Sequence, residues 1–398
     1  MTPMLWLVML TALTHVSFVG MRFATSLYAI HMHASPAVIG VLGALFAVMG
    51  MVSSVGVGRL ADRHGARRPM LAGAVIMALG GSLAFIWRDL AALFIVSTLV
   101  GASYNTFYIC SMQALNRMGT PDAARKAVVQ LSVGFGFTSF VGPVAAGFAI
   151  DGVGHAATFL GFALLPLAAV AALTLGGLVL PAAAPQKTAG PAQRRNALEL
   201  FRDVQLRHTY IVLTALSAGW DVFNILMPVY AARLGFSASR IGMLFGVFTT
   251  GMFMVRLLLP QVFRLFTPWQ VLLLSLAMAG IAYLGVPAAT SMATLAPLML
   301  VLGVALGVQL PVSIALLFET APPERAAEAF GLRVSLVSAS QTFLPLIAGA
   351  LGTAAGLGPV FIVTAGVLLV TGVATRRQWT HVHARRRGAS EEAAGPSR

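Results

Sequence analysis

The sequence predicts an all-α integral membrane protein with 12 transmembrane helices in two six-helix bundles related by pseudo-two-fold symmetry. Three observations lead to this fold class. First, 58% of the 398 residues are hydrophobic and only 10% are charged, whereas soluble domains are about 45–50% apolar. Second, apolar runs of about 20 residues, long enough to cross ~30 Å of hydrocarbon, recur along the chain. Third, the two halves of the chain repeat each other at a fixed spacing.

The apolar runs form two sets of predicted spans, which we number in chain order. The first set covers 4–29, 37–57, 69–87, 90–115, 126–150 and 156–180. The second set covers 209–232, 240–262, 268–289, 292–318, 327–353 and 358–376. This division predicts an N-terminal bundle over 1–180, a cytoplasmic linker over 181–208, a C-terminal bundle over 209–376 and a disordered cytoplasmic tail over 377–398.

An offset of 202 residues relates the two halves. The matching residues are Tyr28-Ala29 with Tyr230-Ala231, Ile39-Gly40 with Ile241-Gly242, Gly101 with Gly303, Pro121-Asp122 with Pro323-Glu324, Pro143 with Pro345 and Gly147 with Gly349. A single offset that holds at all these places argues for a duplicated bundle. The pseudo-two-fold axis then runs along the membrane normal, with a cavity between the halves near the midplane.

The charges indicate how the chain is oriented. A net charge of +14 would suit a nucleic-acid partner. However, 20 of the 26 Lys and Arg residues fall in alternate loops and the tail, and only Arg88, Arg233 and Arg240 fall in the opposite loops. This is the positive-inside rule. We therefore expect no nucleic-acid partner, both termini in the cytoplasm and a bacterial-type inner (plasma) membrane.

Residues 58–68 form a charged segment between two apolar spans. Its ionisable residues are Arg59, Asp62, Arg63, His64, Arg67 and Arg68. They cannot lie in hydrocarbon, so the segment is predicted to be a short loop at a membrane face. Gly58 and Gly65 would permit a tight reversal of the chain. A solvated basic loop would explain the arginines, but not Asp62 or the two glycines at these spacings.

The spacing of Gly58, Asp62, Arg63, Gly65, Arg67 and Arg68 resembles the signature loop of the major facilitator superfamily, Gly-x-x-x-Asp-Arg-x-Gly-x-Arg-Arg. With the repeat, this resemblance covers nearly the whole chain. It implies the major facilitator fold and a transporter that works by alternating access. It also implies a conformational latch, in which Asp62 meets the N-terminus of the eleventh span in one conformation and releases it in the other. Arg333, about one turn into that span, is expected to add an ion pair.

The fifth span contains a second pattern: Thr138, Gly142, Pro143, Ala146 and Gly147. It resembles the Gly-x-x-x-Gly-Pro-x-x-Gly-Gly motif of the drug/proton antiporter branch, with Thr138 and Ala146 in place of two glycines. The resemblance implies proton-coupled export. The alternative is close helix packing with a kink at Pro143.

A third family pattern, Leu-x-x-x-Arg-x-x-x-Gly in the fourth span, is only partly present. Leu93 and Gly101 match, but Ser97 stands where the family has arginine. This departure puts the family's proton-coupling arrangement in doubt for this chain. Arg22, at a similar depth in the first span, is the residue expected to compensate.

Polar stripes on two spans identify candidate coupling residues. They are Thr11, His15, Arg22 and Ser26 on the first span, and Ser217, Asp221 and Asn224 on the seventh. The repeat places Arg22 opposite Asn224, so an ion pair between Arg22 and Asp221 is expected. We hypothesise that Asp221 is the protonatable carboxylate and that Arg22 is its charge partner or a ligand for an anionic substrate group. The alternative is a static structural ion pair.

Other polar and aromatic residues within the spans are candidates for the substrate cavity. They are His15, Tyr104, Asn105, Tyr108, Trp220, Asn224 and Gln309, with Ser313. Such groups suit an amphipathic organic ligand, although each also suits ordinary interhelical packing. Arg256 and Glu319 are expected at a cytoplasmic gate rather than at the substrate.

Together these features predict a secondary active transporter for proton-coupled efflux of small organic molecules or drugs. The alternatives are proton-coupled uptake of an organic acid or other small metabolite and, from another class, a non-transporting membrane sensor. An enzyme is not expected, because the sequence has no His-Glu-x-x-His, Gly-x-Ser-x-Gly or phosphate-loop motif. The expected partners are a small-molecule substrate, protons and the lipid bilayer. The protein is expected to be a monomer with no metal or other cofactor.

Overall fold

A computed structural model describes residues 2–118, 120–175, 180, 197–320 and 325–393. All regular elements in this described part are helical. The α-helices are α1 Pro3–His31, α2 Pro36–His64, α3 Arg67–Ile86, α4 Leu90–Arg117, α5 Pro121–Thr174, α6 Val204–Arg233, α7 Ala238–Leu265, α8 Pro268–Gly285, α9 Met292–Gly307, α10 Gln309–Thr320, α11 Ala326–Ala354 and α12 Leu357–Ala393. The described part also contains two short 3₁₀ helices, Ala197–Arg202 and Val286–Ala288.

Helix α5 contains two membrane crossings. It has 54 residues, so as one straight helix it would be about 80 Å long, far more than the ~30 Å of hydrocarbon. Gly154 breaks it, with φ 82° and ψ 168°, a backbone conformation that only glycine adopts readily. In the part of the chain that the structure describes, eleven helical segments are long and apolar enough to cross a membrane. Counting both arms of α5 confirms the twelve-helix fold, in which α6 is the seventh span and α9 with α10 the tenth.

The ends of the helices are set by polar caps. Ser35 Oγ accepts a hydrogen bond from the Val38 amide at the start of α2. Ser237 Oγ does the same for Arg240 at the start of α7. The two caps are related by the repeat offset, and each satisfies an amide that a helix start leaves unpaired.

The charged segment 58–68 is mostly helical, which corrects the predicted loop. Only Gly65 and Ala66 separate α2 from α3. Gly65, with φ 78°, makes the reversal alone, and Gly58 lies inside α2. The reason is that α2 extends beyond the hydrocarbon, so that Arg63 and His64 in its last turn stabilise the negative end of the helix dipole.

The tail differs from expectation, and α6 begins at Val204, inside the predicted linker 181–208. Residues 181–196 lie outside the described part. The 3₁₀ helix Ala197–Arg202 packs on the C-terminal half, where Leu200 is buried and the Phe201 ring lies 5.3 Å from that of Tyr210. Helix α12 continues to Ala393 where a disordered tail was predicted. Its Ala, Arg and Glu residues are good helix formers, and extending an existing helix needs no new nucleus.

The two halves meet along α2 with α11 and along α5 with α7. Each contact brings a glycine against a carbonyl of the other half: Gly40 faces Pro345, Gly242 faces Pro143, Gly147 faces Ala238 and Gly349 faces Pro36. All four contacts lie at the end of the bundle where α1 ends, which we call the sealed end. The contacts form two pairs related by the repeat offset, so the duplication is visible in the packing. The opposite end, where α2 ends and α6 begins, we call the basic end.

Candidate functional site

A central cavity lies between the halves and includes three adjoining pockets formed by described residues. The sealed-end pocket, about 150 Å³, is lined by α1, the first arm of α5, α6 and α7. The α4 pocket, about 470 Å³, is lined by α1, α2, α4 and α11. The α6 pocket, about 250 Å³, is lined by α6, α7, α9, α10 and α11. Arg22, Trp220 and Gln341 each line two pockets, so the three form one site.

Arg22 lies at the junction of the sealed-end and α4 pockets. Helix α1 places it there because its polar stripe faces the cavity rather than lipid. Within the described residues, its guanidinium forms no hydrogen bond and no ion pair. A cation inside a membrane protein without a partner is costly. Arg22 is therefore available to a charged ligand.

Asp221 on α6 is almost fully buried, with 2% of its surface exposed. Its Oδ2 accepts a hydrogen bond from Ser340 Oγ on α11 at 2.7 Å. The expected ion pair with Arg22 is therefore not formed in this conformation. Ser340 belongs to the same half as Asp221 and supplies a closer donor. The charges of Arg22 and Asp221 still interact electrostatically.

The candidate residues of the N-terminal half line the cavity. His15 Nδ1 and Thr138 Oγ1 are hydrogen bonded at 2.5 Å, and His15 lines the sealed-end pocket. Tyr104, Asn105 and Tyr108 line the α4 pocket. Asn105 Nδ2 donates to the carbonyl of Gly50 at 3.0 Å, which ties α4 to α2.

The candidate residues of the C-terminal half also line the cavity. Trp220 and Asn224 line the sealed-end pocket, and Asn224 Nδ2 donates to the Trp220 carbonyl at 2.8 Å. Gln309 lines the α6 pocket. Its Nε2 donates to the Leu213 carbonyl at 3.1 Å and to Ser217 Oγ. These amide donors are thus engaged within their own half.

One cavity residue, Gln341, was not predicted from the sequence, and another, Arg256, was predicted at a different place. Gln341 lines both the α4 and the α6 pockets, and the polar run from Ser338 to Thr342 in an apolar span could have indicated it. Arg256 was expected at a gate but lines the α6 pocket. Its Nε donates to the Gly307 carbonyl at 3.2 Å, which draws the side chain toward α9. The side chain of Glu319 lies outside the described part.

The fifth-span motif lies at the interface of the halves. Gly147 and the Pro143 carbonyl meet α7 at the sealed end, and Pro143 also borders the sealed-end pocket. Gly142 packs against Val19 of α1, where a Cβ would lie 3.1 Å from the valine Cβ. The motif therefore permits the close approach of three helices.

Ser97 on α4 occupies the position where the family has arginine. It is fully buried, and its Oγ has no hydrogen-bond partner among the described residues.

The proposed latch residues are apart in this conformation. Asp62 Oδ1 accepts from Arg117 Nη2 at 2.8 Å and from Gln113 Nε2 at 3.3 Å. Both partners lie on α4, in the same half as Asp62. Arg117 thus neutralises the charge of Asp62. Among the described residues, Asp62 makes no hydrogen bond and no ion pair with α11.

Arg333, the proposed partner of Asp62 in the latch, is hydrogen bonded to α10. Its Nε donates to Ser313 Oγ at 2.9 Å, and its guanidinium lies 5.8 Å from the centre of the Phe330 ring. The expected ion pair between Arg333 and Asp62 is therefore not formed here. Arg67 donates to the Leu173 carbonyl at 2.6 and 3.1 Å, again within one half.

The sealed end carries two hydrogen-bonded caps between the halves. Asp151 on α5 accepts from the amides of Ala238 and Ser239, at 3.1 and 2.9 Å, at the start of α7. Thr353 Oγ1 on α11 accepts from the amide of Ala37, at 2.9 Å, at the start of α2. Asp151 and Thr353 are related by the repeat offset. The carboxylate additionally meets the positive end of the α7 dipole.

Asp151→Ala is expected to loosen the sealed end. Loss of an N-terminal cap costs about 1 kcal/mol, so the population open at this end should rise about fivefold. Spin labels attached at Trp87→Cys and Thr290→Cys, in the loops of the two halves at this end, would report the change as a larger population at long distance between the two labels. The labelled proteins would also carry Cys110→Ala, so that the native cysteine is not labelled.

Asp89→Ala is the matched control, because Asp89 caps α4 within its own half at the same end. It removes the same charge and should leave the distance distribution unchanged. Equal distributions in wild type and Asp151→Ala would show that this cap does not hold the halves together.

Solved structures of membrane transporters share this fold. The nucleoside transporter NupG superposes with a TM-score of 0.76 at 17% identity, covering 95% of this chain and 99% of that one. A bacterial homolog of the human lysosomal transporter Spinster, in an inward-facing and unoccupied conformation, gives a TM-score of 0.75 at 14% identity, covering 94% of this chain and 96% of that one. At these identities the similarity shows the fold alone.

Sequence comparison identifies the family. No curated protein matches the sequence. The family model described as Major Facilitator Superfamily matches residues 5–294 and, in a second match, residues 263–397. Together these matches cover almost the whole chain, in agreement with the helical fold and the central cavity. The chain therefore belongs to the Major Facilitator Superfamily of membrane transporters.

Proposed function

We propose that the protein is a proton-coupled secondary transporter that exports small organic molecules by alternating access, as in the drug/proton antiporter branch. The observation that carries this proposal is a cavity that is lined by both halves, is closed at one end and contains the ionisable residues Arg22, Asp221 and Arg256. The basic end faces the cytoplasm of a bacterial-type inner membrane, in keeping with the positive-inside rule. The structure then represents an inward-facing state, like the Spinster homolog. The transporter acts as a monomer.

Asp221 is the proposed site of the coupling proton. Burial favours its neutral form, and an approaching guanidinium favours its charged form. In the present conformation Ser340, not Arg22, is the partner of Asp221. Closure of the basic end would change the distance between Arg22 on α1 and Asp221 on α6, because these helices belong to different halves. The same movement that carries substrate would thereby bind or release a proton.

A specific observation favours the alternative of organic-acid uptake. Arg22 faces the cavity without an ion-pair partner among the described residues, as a ligand for a substrate anion would. The similar structures also include a nucleoside transporter, so transport of a small metabolite fits the same fold. Export and uptake share the cavity and differ in the direction of the proton-coupled cycle.

Respiration-energised inverted vesicles would test the function. Antibiotics, dyes and organic acids are added in turn, and release of protons is compared between wild type and Asp221→Asn. Discharge of the gradient by a compound only with wild type supports the antiporter. If no compound does so while whole cells accumulate an acid faster with the wild-type protein, uptake replaces export.

Asp62→Asn is expected to abolish turnover without affecting folding. The amide keeps the shape of the side chain but cannot stabilise a helix N-terminus by its charge when the basic end closes. Transport should fall to background, at least about tenfold, with an unchanged melting temperature. Asp122→Asn, an exposed carboxylate at the same end, is the matched control. Normal transport by a well-expressed Asp62→Asn protein would refute the latch.

A further inference from the structure

The charges in the central cavity select for an anion. Arg22 lines the sealed-end and α4 pockets, and neither pocket is lined by an acidic residue among the described ones. Asp221 and Arg256 line the α6 pocket. The cavity therefore has a net positive charge whether or not Asp221 is protonated. A cationic ligand would meet this charge unfavourably.

The walls of the sealed-end pocket are aromatic. Phe18, Phe23, Trp220, Phe223, Phe245 and Phe248 all line it. Phe18 stacks on Tyr104 with ring centres 4.2 Å apart, and Phe223 stacks on Phe248 at 3.9 Å. Stacked pairs of this kind present flat apolar faces and positive ring edges to a ligand ring. They provide packing area but few hydrogen bonds.

Several neutral polar groups of this pocket are already engaged with the protein. The hydroxyls of Ser26, Ser139 and Thr249 each donate to a carbonyl of their own helix, at 3.4, 2.7 and 2.9 Å. The Asn224 amide donates to the Trp220 carbonyl. Arg22 is thus the strong donor that remains for a ligand. Such a pocket suits one anionic group and does not suit a molecule with many hydroxyls.

We propose that the substrate class is an aromatic monocarboxylate, whose carboxylate binds Arg22 and whose ring packs among Phe18, Trp220 and Phe223. This rests on the proposed transport function and names the ligand of the same cavity. A guanidinium binds a carboxylate through two parallel hydrogen bonds, which orient the ligand as well as attract it. The ring then lies toward the sealed end and the carboxylate toward the wider α4 pocket.

Binding to the purified full-length protein in detergent tests this class without a proton gradient. The probes are indole-3-acetate, its neutral counterpart indole-3-acetamide, cyclohexylacetate and uridine, each measured by titration calorimetry. We expect indole-3-acetate to bind at least about tenfold more tightly than each of the others. Equal binding of the amide would exclude a carboxylate as the recognised group, and tighter binding of uridine would exclude the class.

The variants Arg22→Gln and Arg22→Lys test whether Arg22 binds the carboxylate of the ligand. The Gln variant should lose indole-3-acetate binding at least about tenfold, and the Lys variant should recover part of it because it keeps the charge. Arg88→Gln is the matched control, since Arg88 is exposed in the loop between α3 and α4. Unchanged binding in a well-folded Arg22→Gln protein would overturn the assignment. Tight binding without proton release in vesicles would instead contradict the proposed export and leave the ligand class standing.

Discussion

Asp221→Asn is expected to abolish proton-driven transport while leaving exchange of substrate for substrate across the membrane. The amide is neutral, so it resembles the protonated carboxyl but cannot release a proton. Its oxygen still accepts the hydrogen bond that Ser340 donates to Asp221 Oδ2, which preserves the packing of α6 against α11. Net transport driven by a pH gradient should fall at least about tenfold, equivalent to ~1.4 kcal/mol. Reconstituted liposomes with and without a gradient would measure both modes.

Ser340→Ala tests whether proton coupling needs the carboxyl group of Asp221 alone or also its hydrogen bond from Ser340. It removes the hydrogen-bond donor but retains the carboxyl group, so proton-driven transport should persist with a shifted pH dependence. If Asp221→Asn transported as well with the gradient as wild type, Asp221 would not carry the coupling proton. Loss of both gradient-driven transport and exchange would assign Asp221 to structure or substrate binding instead.

Gly40→Ala is expected to stop transport by preventing closure of the sealed end. A single added methyl would overlap the Pro345 carbonyl of α11, and backbone atoms at that contact cannot rotate away. Gly242→Ala should act in the same way, since its Cβ would lie 2.6 Å from the Pro143 carbonyl oxygen. Transport should fall at least about tenfold. The spin labels at positions 87 and 290 should lose their short-distance population.

Gly56→Ala is the matched control on the same helix, because a Cβ there meets no atom within 4 Å. Alanine stabilises a helix interior by roughly 0.5–1 kcal/mol relative to glycine, so the control should fold at least as well as wild type. A decrease confined to Gly40→Ala and Gly242→Ala then reports the contact between the halves. Normal transport with an unchanged distance distribution in both variants would show that this interface can separate slightly without functional loss.

The number of helices and the duplication could be predicted from the sequence for a physical reason. Hydrocarbon offers no hydrogen bonds, so each apolar run must satisfy its own backbone as a helix. The repeat offset that relates Gly40 to Gly242 reappears as equivalent contacts between α2 and α11 and between α7 and α5. Helix ends were less predictable. Caps such as Ser35 and the backbone of Gly154 decided them locally.

The residues around the cavity were partly predictable by the same reasoning. Polar groups in a membrane helix avoid lipid, so His15, Tyr104 and Asn224 were expected inside, and the structure places them there. The partners of charged groups were not predictable. Asp221 bonds to Ser340 and Asp62 to Arg117, because each finds a donor within its own half.

The sequence by itself determined a twelve-helix, duplicated membrane protein of the Major Facilitator Superfamily, because hydropathy and motif spacing are local properties of the chain. Only the tertiary structure decided which end is sealed, that Arg22 stands without an ion-pair partner among the described residues, and that Gln341 joins two pockets. These features depend on how two rigid halves are placed relative to each other. That placement is set by contacts between residues far apart in the sequence, such as Gly40 with Pro345, which hydropathy and motif spacing do not specify.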